Sequence, residues 1–242
     1  MSTPRRFFTD VNDLCNGKTV CLEGEEFVHA KTVLRVEEGA EIVLLDGGGK
    51  EYSAVVQKVE KHRLSAHITG VTLCDKEPKT KIYLLCGALK GDKTELIVQK
   101  ATELGVSAIG VFSSEYCSAY INENKIERLR KVAKEAAKQC LRACAPQITY
   151  FDNLKAALLS AADYKNKLFA CEFLNGSQSD ITKISGSAAV AVGSEGGFSE
   201  TEFKLSQELG FSGISLGKRI LRAETAAIAV CALVASALGE LG

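Results

Sequence analysis

Residues 188–224 read AAVAVGSEGGFSETEFKLSQELGFSGISLGKRILRAE, and this stretch decides the fold. An apolar run, Ala188 to Val192, is long enough for a buried strand and breaks at Gly193. After the loop Gly193-Ser194-Glu195-Gly196-Gly197, the pair Ser199 and Glu202 has the spacing of a capping box, and Gly210 offers a left-handed stop to the helix between them. A second apolar run, Gly213 to Leu216, then meets a second glycine, Gly217, ahead of an alanine-rich helix beginning near Ala223. Strand, glycine loop and helix thus occur twice in succession, the signature of a parallel α/β sheet covered on both faces.

The same pattern extends upstream. Ile82 to Cys86, Ala108 to Phe112 and Lys167 to Cys171 are short apolar runs suited to further strands. Between the first two, Leu96, Ile97, Ala101 and Leu104 mark a helix, with Asp92 and Glu95 spaced as a second capping box and Gly105 as its stop. The first seventy or so residues look different. Thr19 to Leu22, Glu41 to Leu45, Tyr52 to Val59 and Leu64 to Ile68 are β-rich runs parted by turn signals such as Asp46-Gly47-Gly48-Gly49, with one helical patch, Glu25 to Leu34. A boundary in the charged stretch Asp75 to Thr80 divides the chain into a β-rich domain, 1–74, and an α/β domain, 75–242.

Composition narrows the class of function. The 242 residues are 46% hydrophobic and 25% charged, as in ordinary globular proteins. Thirty basic and thirty acidic residues exclude a uniformly basic polyanion binder, but not a local patch. Such a patch lies between Lys125 and Arg142, where Arg128, Lys131, Lys134, Lys138 and Arg142 recur at helical spacing opposite Leu129, Val132, Ala133, Ala136 and Cys140. One helix would bury the small apolar side and offer a basic stripe to phosphates, although a solvated charged face fits the spacing as well. Nine scattered cysteines, Cys15 among them, without CxxC pairs or a secretory leader in Met1 to Asp13, point to a reducing cytoplasm and to no zinc site. The longest uncharged run, Ala226 to Gly239, is too short and alanine-rich to span a bilayer, so no membrane role is expected.

The glycine loops are the candidate site. Both follow strands directly, where open α/β sheets bind ligands. GSEGG is not the dinucleotide pattern GxGxxG, and Gly213 to Arg219 is one residue short of a P-loop and carries Arg where Ser or Thr would hold magnesium.

VGSEGGF followed by LGKRILRAETA resembles the C-terminal signature of the bacterial 16S ribosomal RNA uridine N3-methyltransferase family, in the SPOUT class. The likeness covers nearly the whole chain: Arg5-Arg6-Phe7-Phe8; His29, Val33-Leu34-Arg35, Gly39 and Asp46-Gly47; Lys90 and Lys93; Gln99 to Val106; and Gln139, Arg142 and Pro146. It departs at Ser194, where the family usually has Pro, at Tyr116-Cys117, where it has an Arg-Ser pair, and at Ala223, where Thr is common. The resemblance implies a trefoil-knotted SPOUT domain with a mostly parallel sheet, preceded by a small PUA-like β-barrel that binds RNA. It further implies S-adenosyl-L-methionine as cofactor, no metal, a homodimer, and 16S rRNA of the small ribosomal subunit as partner.

On that basis Gly193, Glu195, Gly196, Gly197, Leu216, Gly217, Ile220 and Leu221 form the cofactor bed. Arg222 stabilises the uridine anion, Arg142 is a second catalytic cation, and Glu224 either orients Arg222 or accepts the N3 proton. Arg222 and Glu224 could equally form a structural ion pair at a helix start. RNA contacts fall to Arg5, Arg6, Arg35, Arg128, Lys131, Lys134, Lys138 and Gln139. The rivals are another SPOUT activity, on a ribose hydroxyl or a transfer RNA base, and a non-catalytic RNA-binding assembly factor.

Overall fold

The structure, a computed structural model, describes residues 4–10, 18–171 and 180–242; Cys15 and, of the segment Met1 to Asp13, residues 1–3 and 11–13 lie outside them. The chain forms two compact units, Met1–Glu77 with Ala137–Ala145, and Pro78–Ala136 with Pro146–Gly242.

The first unit is built on a five-stranded mixed sheet of β1 (Arg5–Phe8), β2 (Thr19–Leu22), β3 (Glu41–Leu45), β4 (Lys50–Val59) and β5 (Leu64–Leu73), in the order β1-β3-β4-β5-β2. β1 runs parallel to β3 and the other pairs are antiparallel. Among the described residues β1 and β2 remain edges, so the sheet is an open relative of the expected barrel. Alternation along the strands buries Val20, Leu22, Ile42, Leu44, Ala54, Val56 and Leu64, and β1 adds Phe7 to this core. The Asp46 carboxylate fixes the β3–β4 turn by accepting from the N–H groups of Gly48 and Lys50. The helical patch is α1 (Gly24–Val28) running into a π-helical turn, His29–Val33, where Phe27 and Ala30 cover the sheet.

Ala137–Ala145 returns to this unit, which a single cut at residue 75 does not anticipate. The reason is Glu77. One of its oxygens accepts from Arg142 Nε and Nη2 at 3.2 and 3.1 Å, and the other accepts from the N–H groups of Ala143 and Cys144 at 2.7 Å. A buried guanidinium needs that partner, and the pairing ties the segment down.

The second unit is a six-stranded, all-parallel sheet. Its strands are β6 (Ile82–Gly87), β7 (Ala108–Phe112), β8 (Gln147–Phe151), β9 (Asn166–Ala170), β10 (Ala188–Val192) and β11 (Ser212–Ile214), in the order β11-β9-β10-β6-β7-β8. The late strand β10 therefore lies between β9 and the first strand, β6. Every residue of β6 and β10 is buried, as expected for central strands under helices on both faces. The helices are α2 (Lys93–Glu103), α3 (Glu123–Gln139), α4 (Leu154–Leu159), α5 (Glu200–Glu208) and α6 (Ala223–Ala237). β8 and β1 are the strands the periodicity missed; both are short edge strands with little apolar alternation.

Helix punctuation is half as expected. Ser199 and Glu202 form the full reciprocal capping box, and Gly105 and Gly210 take φ of +82° and +81° at their stops. Asp92 makes no side-chain cap: its backbone, at φ −94° and ψ 3°, lacks the extended conformation of a capping residue, and the Glu95 side chain pairs with Arg128, 2.8 Å away. α6 packs on α2, β6 and β10 and buries Ala227, Val230, Cys231 and Val234. No helix among the described residues is long and apolar enough to cross a membrane.

Candidate active site

Both glycine loops open onto one cleft of about 540 Å³ at the carboxyl ends of β9, β10 and β11, within the second unit. The first loop reaches it because the end of β6 carries no side chain. A β-carbon on Gly87 would stand 2.5 Å from the Ser194 nitrogen and 2.9 Å from the Gly193 carbonyl carbon. The loop then closes on itself, with the Gly197 N–H donating to the Ser194 carbonyl at 3.0 Å. Buried Ser194, standing where proline is common, places its hydroxyl 3.4 Å from that of Ser114. Across the cleft the second loop turns at Gly217, whose φ of +106° suits only glycine.

The structure brings the residues expected for a cofactor bed to one cleft. Gly193, Glu195, Gly196, Gly197, Leu216, Gly217, Ile220 and Leu221 all line the cleft. Backbone of two glycine loops, an apolar wall from Leu216 and Leu221, and this volume suit a nucleoside-bearing ligand such as S-adenosylmethionine. Glu195 braces the first loop: its Oε1 accepts from the Lys90 N–H at 3.1 Å and from Lys93 Nζ at 3.2 Å. Partial burial pushes the Glu195 carboxyl up, but those hydrogen bonds and the Lys93 charge outweigh it and hold it below the usual carboxylate value.

Arg222 and Glu224 also line the cleft. Arg222 caps α6 with extended backbone and an exposed guanidinium, and it forms no ion pair with Glu224 among the described residues. Glu224, in the first helical turn, has a buried Oε2 without a hydrogen-bond partner. An unsatisfied buried acceptor at a cleft is met by an ordered water, a ligand or a proton.

Other expected residues fall elsewhere. Arg142, inferred as a second catalytic cation, is 4% exposed in the first unit and committed to Glu77, so no part of it is presented to a substrate. The basic stripe is likewise shorter than its spacing implied. Arg128, Lys131 and Lys134 are exposed, whereas Lys138 is 8% exposed and bound to Glu26, 3.2 Å away. Arg6 also turns inward, 2.6 Å from Glu51, and donates to the Leu141 carbonyl. These corrections share one cause: helical or strand spacing fixes which face a cation takes, but not whether a carboxylate from a distant segment waits there. Arg5 and Arg35 line a second cavity, of about 470 Å³, in the first unit, and Gln139 is exposed.

Sequence reasoning gave no role to Lys218 and Arg219, exposed cations on the second loop that join Arg222 in the cleft wall. Their clustering is legible in GKRILR, of which the expected site uses only Gly217, Ile220, Leu221 and Arg222. Lys93 and the β9 end, Ala170 and Cys171, are brought to the cleft by topology alone. Among the described residues no group of three or more His, Cys, Asp and Glu could hold a metal ion.

Comparison with known proteins agrees with this geometry. The profile of the RNA methyltransferase domain family matches residues 75–235, and that of the RNA methyltransferase PUA domain matches residues 22–69. Ribosomal RNA small subunit methyltransferase E of Bacillus subtilis is 31% identical over 237 residues, 92% of each chain. Its namesake from Rickettsia conorii is 33% identical over 234 residues, 91% of each. Among solved structures, ribosomal RNA small subunit methyltransferase E from Neisseria gonorrhoeae bound to S-adenosyl methionine superposes with a TM-score of 0.88 at 33% identity, covering 98% of both chains. A methyltransferase from Legionella pneumophila in complex with the same cofactor gives 0.88 at 28% identity. With both profiles in the order of its two units, and relatives matching from end to end, the chain belongs to the RNA methyltransferase family that couples a PUA domain to a methyltransferase domain.

Proposed function

We propose that this chain is an S-adenosylmethionine-dependent methyltransferase that modifies N3 of one uridine in the 16S rRNA of the small ribosomal subunit. The observation that carries the reading is the single cleft in which two glycine loops, the Arg222 guanidinium and the partnerless Glu224 oxygen converge. When bound, S-adenosylmethionine supplies an activated methyl group on a sulfonium centre. Gly193, Gly196, Gly197 and Gly217 would hold it through their backbone, and Leu216, Ile220 and Leu221 through apolar contact.

Uridine N3 carries a proton, so the protein has to help remove it and stabilise the anion left behind. Arg222, exposed in the cleft wall and unpaired with Glu224, suits the second task. Glu224 does not orient Arg222, which favours Oε2 as the acceptor of the N3 proton. Lys218, Arg219 and Arg222 give the cleft wall three cations for the phosphates flanking the base. Because N3 is on the pairing edge, the target uridine has to be unpaired. Arg5 and Arg35 in the first unit, and Arg128, Lys131 and Lys134 on α3, add phosphate contacts.

We further infer a trefoil knot, supported by the insertion of β10 between β9 and β6, a cytoplasmic location, and a homodimer. Of the small residues on α6 that would let helices of two protomers approach closely, Ala227, Val230, Val234 and Ala237, the first three are buried within the protomer. The exposed Leu233 and Leu96, on α6 and α2, replace them as the candidate contact. Mass spectrometry of 16S rRNA from a strain lacking this chain tests the activity. Loss of one N3-methyluridine, restored by the intact gene, is expected; an unchanged methylation pattern refutes the proposal.

A further inference from the structure

The connection between β7 and α3 is stitched to the first glycine loop and to the helix that follows it. Ser114 meets Ser194, as above; the Glu115 N–H donates to Glu202 Oε1 at 2.9 Å; and Cys117 Sγ donates to the Ala88 carbonyl at 3.3 Å. Glu202 is buried, and its other oxygen holds the Ser199 N–H, so the same carboxylate anchors both segments. Between these ties lies Tyr116. A β-carbon on Gly196 would fall 2.5 Å from the Tyr116 β-carbon and 3.0 Å from its carbonyl oxygen, so the residue is seated directly on the cleft-lining glycine. Yet Tyr116 is 51% exposed, and its ring has no aromatic or cationic partner among the described residues.

A large ring carried on a backbone tied on both sides, exposed beside a glycine loop, has the properties of a stacking platform. Aromatic faces bind unpaired bases, and a fixed backbone lowers the entropy lost in presenting one. We propose that Tyr116 is a substrate-positioning residue that stacks the unpaired uracil entering the cleft. This deepens the methyl-transfer reading and rests on it for the identity of the base. Where the resembling family carries an arginine, this chain grips the nucleotide through its π face rather than through charge.

The chain contains no tryptophan, so Tyr116→Trp creates a single fluorescent reporter. Titrated with a short oligouridylate, this variant should show saturable quenching, and an abasic ribose-phosphate chain of equal length should not quench it. Tyr120→Trp, on the same connection but without ties to the glycine loop, should respond to neither; any other pattern overturns the assignment. This readout needs no turnover, so it stays distinct from a failure of methylation itself. Tyr116→Ala keeps the β-carbon that packs on Gly196 and removes only the ring. Its KM for small ribosomal subunits should rise about tenfold to a hundredfold, with Tyr116→Phe near the starting value and S-adenosylhomocysteine affinity unchanged in both. Weakened S-adenosylhomocysteine binding in Tyr116→Ala would mean a purely structural residue and sink the proposal.

Discussion

Arg222 and Glu195 illustrate two ways a loop charge can act. Arg222 faces the cleft without a carboxylate partner, so its positive charge is available to a developing anion. Arg222→Ala should retain S-adenosylhomocysteine binding while lowering methyl transfer by about a hundredfold or more, measured in single-turnover assays. Equal loss of cofactor affinity would assign it to the bed instead. Glu195 is spent on bracing. Its carboxyl is held below the ordinary value of 4.5, so its stabilising contribution is complete above that value and is lost as pH falls through the lowered one. In thermal melts from pH 7 to about pH 3.5, the advantage of the parent over Glu195→Gln should be level near neutrality and vanish only in the acid range. A gap that persists at the acid end would show that Glu195 acts through packing rather than charge.

α3 shows how one element can serve two ends. Its first part presents Arg128, Lys131 and Lys134 to solvent, and its last turn joins the first unit, where Lys138 meets Glu26 and Arg142, just beyond the helix, meets Glu77. Sequence periodicity placed all five cations on one helix face, but the helix ends at Gln139 and leaves Arg142 beyond it. It could not show that the distal two are buried, because Glu26 and Glu77 lie about 112 and 65 residues away along the chain. Removing a partner from a buried guanidinium strands its charge, so Glu77→Ala should lower unfolding free energy by about 3 kcal/mol in urea titrations. Loss below about 0.5 kcal/mol would place the pair with ordinary surface bridges.

For the whole molecule, equal totals of 30 basic and 30 acidic residues hide an uneven distribution. Many cations are paired internally, Arg6, Lys138 and Arg142 among them, and fewer are left for RNA than a count of the basic stripe implies. Three exposed stripe residues, Arg128 among them although it also pairs with Glu95, predict a contribution of at most about −2 to the slope of log affinity against log salt for single-stranded RNA, against about −3.5 for five. Filter binding of the parent and of Arg128→Ala/Lys131→Ala/Lys134→Ala across a salt series measures that difference. S-adenosylhomocysteine affinity should stay flat over the same range, since the proposed bed would hold it through apolar and backbone contacts.

The sequence by itself determined the alternation of strand and helix in the second unit, the capping box at Ser199, the glycine stops and the two loops that make the cleft. Each of these follows from local physics: burial periodicity, side-chain hydrogen bonding to a helix end, and backbone freedom at glycine. Tertiary arrangement alone settles that the Glu95 side chain pairs with Arg128, that Arg142 pairs with Glu77, and that Tyr116 sits on Gly196. Those outcomes depend on which distant residue arrives at a given face. Pairing energies and close approach are properties of positions in space, and spacing along the chain does not encode them.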